Sequence, residues 1–226
     1  MSGVSTENRK TRILLVDDHP MVRERLAEVI HRERDLIVCG EADDHRRALE
    51  VIGATHPDLV IVDLTLKESH GLDLIKDLRL QHPSLLILVV SMHDESLHAE
   101  RVIRAGAHGY ITKQEATRKV MQAIRMVLEG NIYLSEKMTA RLTATIAGRP
   151  RARTGLLVDT LTDRELRVFE LLGQGHSTRH IAEQLHLDMR TVETYRARIK
   201  DKLQLKDGND LLQHAIRWAQ SGGFAS

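Results

Sequence analysis

The first half of the chain alternates five short apolar runs with five amphipathic segments, and no other feature of the sequence restricts the fold as strongly. The apolar runs are residues 13–16, 36–39, 59–62, 85–90 and 110–111, and the amphipathic segments are residues 21–31, 45–53, 72–81, 95–105 and 116–129. Short continuous apolar runs are typical of strands that are buried on both faces of a sheet. Five strand–helix units in series predict an α/β fold, a doubly wound five-stranded parallel sheet with helices on both faces.

The second half follows a different pattern. Residues 135–147 predict one more helix, with Ser135 as its N-cap and Gly148 at its end. The basic segment GRPRARTG that follows contains Pro150 and predicts an exposed linker. Beyond it, residues 162–174, 178–185, 189–203 and 207–219 have helical periodicity and predict an all-α domain. We therefore divide the chain into a first domain at residues 1–130, a linker at residues 131–157 and a helical domain at residues 158–226.

Composition excludes several classes of protein. No apolar run approaches the roughly 18 residues of a membrane span, and the polar N-terminus lacks the apolar core of a signal peptide. We therefore expect a cytoplasmic protein without a membrane partner. The single cysteine, Cys39, excludes a disulfide framework and a multi-cysteine metal site. Residues 149–226 carry 13 Lys and Arg against 10 Asp and Glu, whereas residues 1–148 carry 20 against 22, and this asymmetry favours a polyanionic partner for the second half.

Polar side chains follow four of the five predicted strands. Asp17 and Asp18 end the first run, Asp63 ends the third, Ser91 ends the fourth and Lys113 follows the fifth. Because the carboxyl ends of parallel strands meet at one edge of the sheet, we expect these side chains to lie together. Three carboxylates there would attract a hard divalent cation, most plausibly Mg²⁺. A lysine and a hydroxyl facing a phosphoryl group would complete a phosphoryl-transfer site with an aspartate nucleophile.

Each of these residues has an ordinary structural explanation when it is considered alone. An aspartate at a strand end is more often a helix cap or a turn former, and Ser91 could cap the helix that follows it. Lys113 alone would be a solvated surface charge. The order of the residues along the chain, each at the end of its own strand, is much more specific than any one of them.

The segments ILLVDDHP, LVIVDLTL, ILVVSMH and GAHGYITK resemble, in order and spacing, the receiver domains of two-component response regulators, which have a flavodoxin-like fold. The resemblance covers about residues 10–130. It implies that Asp63 accepts a phosphoryl group from a sensor histidine kinase, and that Asp17, Asp18, Asp63 and the backbone carbonyl of Thr65 bind Mg²⁺. It also implies that Ser91 and Tyr110 form a switch pair that moves inward on phosphorylation.

The same resemblance places Thr65 and His93 at variable positions that tune the lifetime of the phosphoaspartate. Gln114 follows Lys113 where many receivers have proline, which leaves the geometry of that peptide bond open. We expect no enzymatic activity on other substrates, because the only chemistry implied is the protein's own phosphoryl transfer and autodephosphorylation at Asp63.

The helical half has the pattern of a helix-turn-helix domain. Thr162 and Glu165 form a capping box sequence, and Asp188 precedes a helix as its cap. Apolar residues recur at helical spacing and could close a small core: Leu166, Phe169, Leu172, Ile181, Leu185, Val192, Ile199 and Leu203. The helix after Asp188 is basic, with Arg190, Arg196, Arg198, Lys200 and Lys202 against Glu193 and Asp201. A basic helix of this kind suits the DNA major groove, although a solvated basic helix on a small bundle would show the same charges.

The segments LTDRE, GHSTRHIAEQL and RTVETYRARIKDKL resemble the LuxR-type helix-turn-helix of the NarL/FixJ family over about residues 158–220. The resemblance implies that the helix from Met189 enters the major groove. Within it, Arg190 and Thr191 would anchor to phosphates, and Glu193, Thr194 and Ala197 would face the bases. Most of the flanking residues would contact phosphates, and one arginine could reach a guanine: Arg196, Arg198, Lys200 and Lys202.

Further partners follow from the same resemblance: operator DNA, RNA polymerase and, when the protein is phosphorylated, a second copy of the chain. The last helix could supply a dimer interface through Leu212, Ile216 and Trp218, or these residues could only close the domain core. Glu193 replaces a lysine that is common among relatives, and Tyr195 stands where histidine is frequent. Both differences leave the operator sequence open.

Three alternatives are less consistent with the sequence. Phosphohydrolases of the haloacid dehalogenase type carry a second aspartate two residues after the nucleophile, whereas this chain has Thr65 there. A small-molecule sensor with the same DNA-binding half would need an aromatic pocket, and only 3% of the residues are aromatic. His176 and His180 have a spacing that can bind a metal, but no third ligand is evident in the sequence.

Overall fold

The computed structural model describes residues 9–66, 69–92, 95–146 and 157–220. The chain forms two compact units, Met1–Ala140 and Arg141–Ser226. The predicted linker segment GRPRARTG, the helix end at Gly148 and the variable position His93 lie outside the described residues. In the part of the chain that is described, no helix is both long enough and apolar enough to cross a membrane.

The first unit contains the predicted parallel sheet. The elements of this unit are β1 (Thr11–Val16), α1 (Pro20–His31), β2 (Leu36–Ala42), α2 (His45–Thr55), β3 (Leu59–Val62), β4 (Thr65–Leu66), β5 (Ser69–His70), α3 (Gly71–Gln81), β6 (Leu86–Ser91), α4 (Glu95–Ala105), β7 (Gly109–Thr112) and α5 (Lys113–Leu128). The strands of the sheet lie in the order β2-β1-β3-β6-β7, and every neighbouring pair is parallel. The fold class predicted from the apolar runs is confirmed.

Burial explains why the strands have continuous apolar sequences. All four residues of the central strand β3 are buried, and helices cover the sheet on both faces. Ile13, Leu15, Ile61 and Leu88 belong to a core that also receives apolar side chains of α1 and α5. The two-residue strands β4 and β5, which pair with each other in an antiparallel hairpin, were not predicted. They are too short to show any periodicity.

The chain continues along the edge of the sheet after α5. Tyr133 forms a parallel bridge with Gly109 of β7. The amide of Tyr110 donates to the carbonyl of Tyr133 at 2.9 Å, and the amide of Tyr133 donates to the carbonyl of His108 at 3.0 Å. Ser135 then caps α6 (Glu136–Ile146), as predicted, because its hydroxyl accepts a hydrogen bond from the amide of Met138. The segment that follows α5 is thereby attached to the edge strand of the sheet.

The second unit is helical in the described residues, as predicted. A 3₁₀ turn at Val158–Thr160 precedes α7 (Asp163–Gly173), α8 (Thr178–Leu185), α9 (Met189–Lys202) and α10 (Gly208–Trp218). Each helix begins with a capping side chain, from Thr162, Ser177, Asp188 and Asp207 in turn, and Thr162 forms the predicted capping box with Glu165.

The helices of the second unit close around a small apolar core. The predicted core residues are buried, except for Leu185, which is partly buried and packs against the others. On α10, Leu211 and Ala215 are buried, and the ring of Trp218 lies 5.2 Å from that of Phe169, measured between centroids. Trp218 therefore contributes to the core of its own domain.

An ion pair ties the end of α9 to the beginning of α7. The ammonium of Lys202 lies 2.6 Å from Oε2 of Glu165, whose side chain is buried, and 3.3 Å from the carbonyl of Thr160. The same Oε2 accepts the amide of Thr162 at 2.7 Å. Burial alone would raise the pKa of Glu165, but these hydrogen bonds lower it below the ordinary value of 4.5. Lys202, which the resemblance assigns to the DNA-contacting face, thus also holds two helices of its own domain together.

Replacing Lys202 should destabilise the helical domain. Lys202→Met leaves the buried carboxylate of Glu165 without its cation, so we expect the free energy of unfolding to fall by about 2 kcal/mol at neutral pH. Urea unfolding followed by the fluorescence of Trp218 measures this change. Lys200→Met, two residues earlier on the same helix, is the matched control.

The difference between wild type and Lys202→Met should depend on pH. A carboxylate whose pKa is lowered in the folded state contributes stability above its unfolded pKa and loses it as the pH falls through the folded value. The two proteins should therefore converge in stability as the pH falls below 4.5, the ordinary value for this carboxyl. Equal urea midpoints for Lys202→Met and Lys200→Met at neutral pH would contradict the structural role of Lys202.

Candidate functional site

Four side chains with ligand atoms converge at the carboxyl ends of the central strands. Asp17 and Asp18 follow β1 and Asp63 follows β3, and these three with His19 offer oxygen or nitrogen atoms that all lie within 4.8 Å of one another. Asp17 and Asp63 are each 3% exposed. The structure thus brings together the three carboxylates that the sequence placed at strand ends.

His19 is part of this cluster, and the sequence analysis did not identify it. Its Nδ1 lies 2.6 Å from Oδ1 of Asp18, and its backbone amide donates to Oδ1 of Asp17 at 2.9 Å. The only available signal was its position directly after the two aspartates. A histidine beside a strand end has many ordinary uses, so that signal alone could not have assigned it.

Lys113 joins two of the carboxylates. Its ammonium lies 2.7 Å from Oδ2 of Asp63 and 2.7 Å from Oδ2 of Asp17. Burial alone would lower the pKa of Lys113, but the two carboxylates raise it above its ordinary value, so the side chain stays charged. Burial, reinforced by Asp17, raises the pKa of Asp63 against the opposing effect of Lys113.

The second oxygen of Asp63 is available for a further ligand or donor. Among the described residues, Oδ1 of Asp63 is buried and has no hydrogen-bond partner. A buried carboxylate oxygen without a partner is costly, and a cation or an incoming donor would remove that cost. Carboxylates clustered within one coordination sphere are the ligands that a hard divalent cation prefers. The residues present therefore fit the predicted Mg²⁺ site.

Thr65, the predicted source of a carbonyl ligand, lies two residues beyond Asp63 in the hairpin of β4 and β5, where it pairs with His70. The role of its carbonyl stays a prediction. No cis peptide bond occurs among the described residues, so the Lys113–Gln114 bond is trans.

Gly71 positions the backbone of Asp63, and the sequence analysis missed it as well. It is the first residue of α3, and its amide donates to the carbonyl of Leu64 at 2.9 Å. A Cβ atom at this position would lie 2.1 Å from the carbonyl oxygen of Asp63, which is far inside van der Waals contact. Only glycine lets α3 begin this close to the acidic cluster.

The predicted switch residues lie on β6, which pairs with β3, and on β7, the edge strand beyond it. Ser91 is the last residue of β6 and is fully buried, and it is in register with Thr112 of β7, the residue before Lys113. Tyr110 of β7 is in register with Val89 and is also fully buried. Both residues are therefore buried, and their movement on phosphorylation stays a prediction.

The basic helix α9 has an exposed face and a buried face. Val192 and Ile199 are buried in the domain core. The exposed residues recur at helical spacing on the opposite face: Arg190, Glu193, Thr194, Ala197 and Arg198.

The other residues that the sequence assigned to DNA are less exposed. Thr191 is half-buried and its hydroxyl donates to the capping carboxylate of Asp188. Lys200 is half-buried, and Arg196 bonds within the domain.

His176 and His180 stack with their ring centroids 4.7 Å apart. Burial and the neighbouring His180 lower the pKa of His176. Among the described residues, only the acidic cluster of the first unit contains three or more side chains arranged to hold a metal. The two histidines therefore remain a pair without the third ligand that a metal site would need.

Comparison with protein families identifies both units. Residues 13–125 match the response regulator receiver domain, and residues 159–215 match the luxR family of bacterial regulatory proteins. The chain is 35% identical over 207 residues to the transcriptional activator protein ExaE of Pseudomonas putida, covering 90% of this chain and 95% of that protein. It is 30% identical over 210 residues to the oxygen regulatory protein NreC of Staphylococcus carnosus, covering 91% and 97%.

Solved structures with similar folds also match this chain. A LuxR-family two-component response regulator from Aurantimonas sp. SI85-9A1 matches 61% of this chain and 99% of its own, with 34% identity and a TM-score of 0.57. RcsB from Salmonella enterica serovar Typhimurium, solved bound to a promoter in the presence of a phosphomimetic, matches 92% of this chain and 98% of its own. That match has a TM-score of 0.67 and 22% identity and supports the fold alone. With both units matched and relatives along most of its length, the chain belongs to the two-component response regulators that join a receiver domain to a LuxR-type helix-turn-helix domain.

Proposed function

We propose that this response regulator accepts a phosphoryl group on Asp63 from a sensor histidine kinase and, in response, binds operator DNA as a homodimer to control transcription. The observation that carries the proposal is the cluster at the strand ends, where Lys113 bridges Asp17 and Asp63 and the second oxygen of Asp63 has no hydrogen-bond partner among the described residues. The protein would act in the cytoplasm, with RNA polymerase as a further partner.

The geometry supports an aspartate nucleophile. A carboxylate oxygen of Asp63 attacks the phosphorus of the donor, the new P–O bond forms as the P–N bond to the kinase imidazole breaks, and the imidazole leaves with the electron pair. Asp17, Asp18, Asp63 and the Thr65 carbonyl would hold Mg²⁺, which when bound neutralises charge on the phosphoryl oxygens. Lys113, whose ammonium lies 2.7 Å from Asp63, and Ser91 would contact the same oxygens.

The protein's own chemistry would end with hydrolysis of the phosphoaspartate. Water attacks the phosphorus, the bond to Asp63 breaks, and inorganic phosphate and the free carboxylate are regenerated. By the resemblance, Thr65 and His93 would set the rate of this step. We propose no activity on other substrates.

The edge of the sheet offers a route from the phosphorylation site to the DNA-binding domain. Ser135, which caps α6, donates its amide to Oε1 of Glu95 at 2.8 Å, and Glu95 is the first residue of α4. Tyr133 is bonded to the backbone beside Tyr110. A movement of α4 or β7 after phosphorylation would therefore act directly on the segment that leads to the second domain.

On the DNA side, α9 would lie in the major groove. Its exposed face carries Glu193, Thr194 and Ala197 toward the bases, while Arg190, Thr191, Arg198 and Lys200 contact phosphates.

Removal of the nucleophile should abolish phosphorylation. With acetyl phosphate and Mg²⁺, we expect the wild-type protein to gain one acid-labile phosphoryl group and Asp63→Asn to gain none, because an amide is a poor nucleophile toward phosphorus. Mass spectrometry of the intact protein measures the change. Asp77→Asn, at the surface of α3, should label like wild type. Labelling of Asp63→Asn at the wild-type rate would show that another residue is the acceptor.

A side chain at Gly71 should impair the site without touching its chemistry. Gly71→Ala forces a methyl group against the carbonyl of Asp63, so we expect slower phosphorylation, on the order of 10–100-fold, and lower stability. Gly53→Ala is the matched control, since nothing lies within 4 Å of its added Cβ and alanine favours a helix interior. Equal labelling rates for the two variants would contradict the positioning role of Gly71.

Phosphorylation should favour dimers and DNA binding. The phosphoryl group adds about −1.5 to −2 charge at the strand ends and should remodel the surface near α4 and α5. Analytical ultracentrifugation and DNA retention, each with and without acetyl phosphate, measure the two effects. Unchanged mass and unchanged DNA affinity in fully phosphorylated protein would indicate a constitutive DNA-binding protein.

A further inference from the structure

Three side chains at the beginning of α8 and the middle of α9 form a closed set of hydrogen bonds. The hydroxyl of Thr178 donates to Oε1 of Glu193 at 2.9 Å. Nη1 of Arg196 donates to the same Oε1 at 3.0 Å and also to the hydroxyl of Thr178. Each of the three side chains thus contacts the other two, and we call them the Thr178–Glu193–Arg196 triad.

The triad holds the carboxylate of Glu193 outward and the guanidinium of Arg196 inward. The side chain of Glu193 is 57% exposed, whereas that of Arg196 is 24% exposed. A Cβ atom added to Gly208 would lie 3.7 Å from Nη2 of Arg196, so the guanidinium reaches toward the beginning of α10. The bonds that described residues donate to Glu193 end on Oε1, and none of them uses Oε2. The carboxylate is therefore fixed in place with one oxygen directed away from the triad.

Fixing this side chain changes what it can do at a DNA surface. A glutamate loses rotamer entropy when it is immobilised, and a side chain that is already held avoids much of that loss on binding. A carboxylate next to DNA phosphates is also repelled, and the bound guanidinium offsets that repulsion. The carboxylate of Glu193, in turn, partly cancels the electrostatic attraction between Arg196 and DNA phosphates.

We infer that Thr178 and Arg196 are positioning residues that hold Glu193 as the reader of one base pair, and that Glu193 accepts a hydrogen bond from the exocyclic amine of a cytosine. This inference rests on the proposed function, because it requires α9 to lie in the major groove. A carboxylate has only acceptors, so it fits the N4 amino group of cytosine. At adenine the amino group stands beside the N7 acceptor, which repels the second carboxylate oxygen.

The test is selection of binding sites from random DNA by the full-length phosphorylated protein, combined with salt titration of the dissociation constant. Thr178→Val removes the hydroxyl and keeps the shape of the side chain. We expect it to lower discrimination at one position of each half-site by about tenfold, at the same position that Glu193→Gln affects. The double variant should lose little more than either single variant, because the two residues act through one contact. Thr178→Ser, which keeps a hydroxyl, should restore discrimination.

Two control variants distinguish an effect on the position of Glu193 from effects on folding and on charge. Glu183→Gln removes the acid of an exposed ion pair with Arg179 on α8 and should leave the selected site unchanged. Arg198→Gln should weaken binding to all sequences and reduce the salt dependence by about one counterion, without a change of preferred base. Thr178→Val changes no charge, so its salt dependence should equal that of wild type.

The outcomes are distinct. If Thr178→Val keeps wild-type discrimination while Glu193→Gln loses it, Glu193 reads a base without the help of the triad and the positioning role is wrong. If Glu193→Gln selects the wild-type site unchanged, Glu193 is not a reader. If the phosphorylated wild-type protein retains no DNA at all, the proposed function fails, and the inference fails with it.

Discussion

The ammonium of Lys113 between the carboxylates of Asp17 and Asp63 is the interaction on which the first domain depends. Two buried carboxylates at the ends of adjacent strands repel each other, and a buried cation 2.7 Å from both removes most of that repulsion. Lys113 is also the first residue of α5, so the same contact fixes where β7 ends and the helix begins. The backbone of β7 also forms the bridge to Tyr133.

This arrangement makes the site sensitive to added charge. A phosphoryl group on Asp63 would add negative charge where one lysine already balances two carboxylates. The fully buried Ser91 lies on the neighbouring strand β6, and the fully buried Tyr110 lies on β7, the next strand along. Because a packed interior does not deform continuously, a change at the strand ends is passed to the surface as a shift of whole elements. In this chain, α4, through Glu95, and β7, through its backbone, both bond to residues 133–135, which lead into α6.

The sequence predicted the features that depend on periodicity and on strand ends. The five strands, the order of Asp17, Asp63, Ser91 and Lys113, and the capped helices of the second domain all follow from local patterns. Features that depend on close approach between distant segments could not be read in this way. Gly71 looks like any helix-start glycine until α3 is placed on the backbone of Asp63. The hairpin of β4 and β5 has two residues per strand, which is too few for a periodic signal.

The pairing of charges could not be predicted, because a sequence gives the number of charged residues but not which of them form ion pairs. The sequence of α9 contains five basic residues that all suit a DNA-facing surface, whereas the structure joins Lys202 to the buried Glu165 and Arg196 to Glu193. Arg190, Arg198 and Lys200 take part in no ion pair between described residues. An internal ion pair neutralises its members before DNA arrives, so such residues release fewer counterions than their number suggests. We therefore expect the affinity of this domain for DNA to depend mainly on the other three cations of α9, whereas Lys202 attaches α9 to Glu165 and Arg196 holds the carboxylate of Glu193.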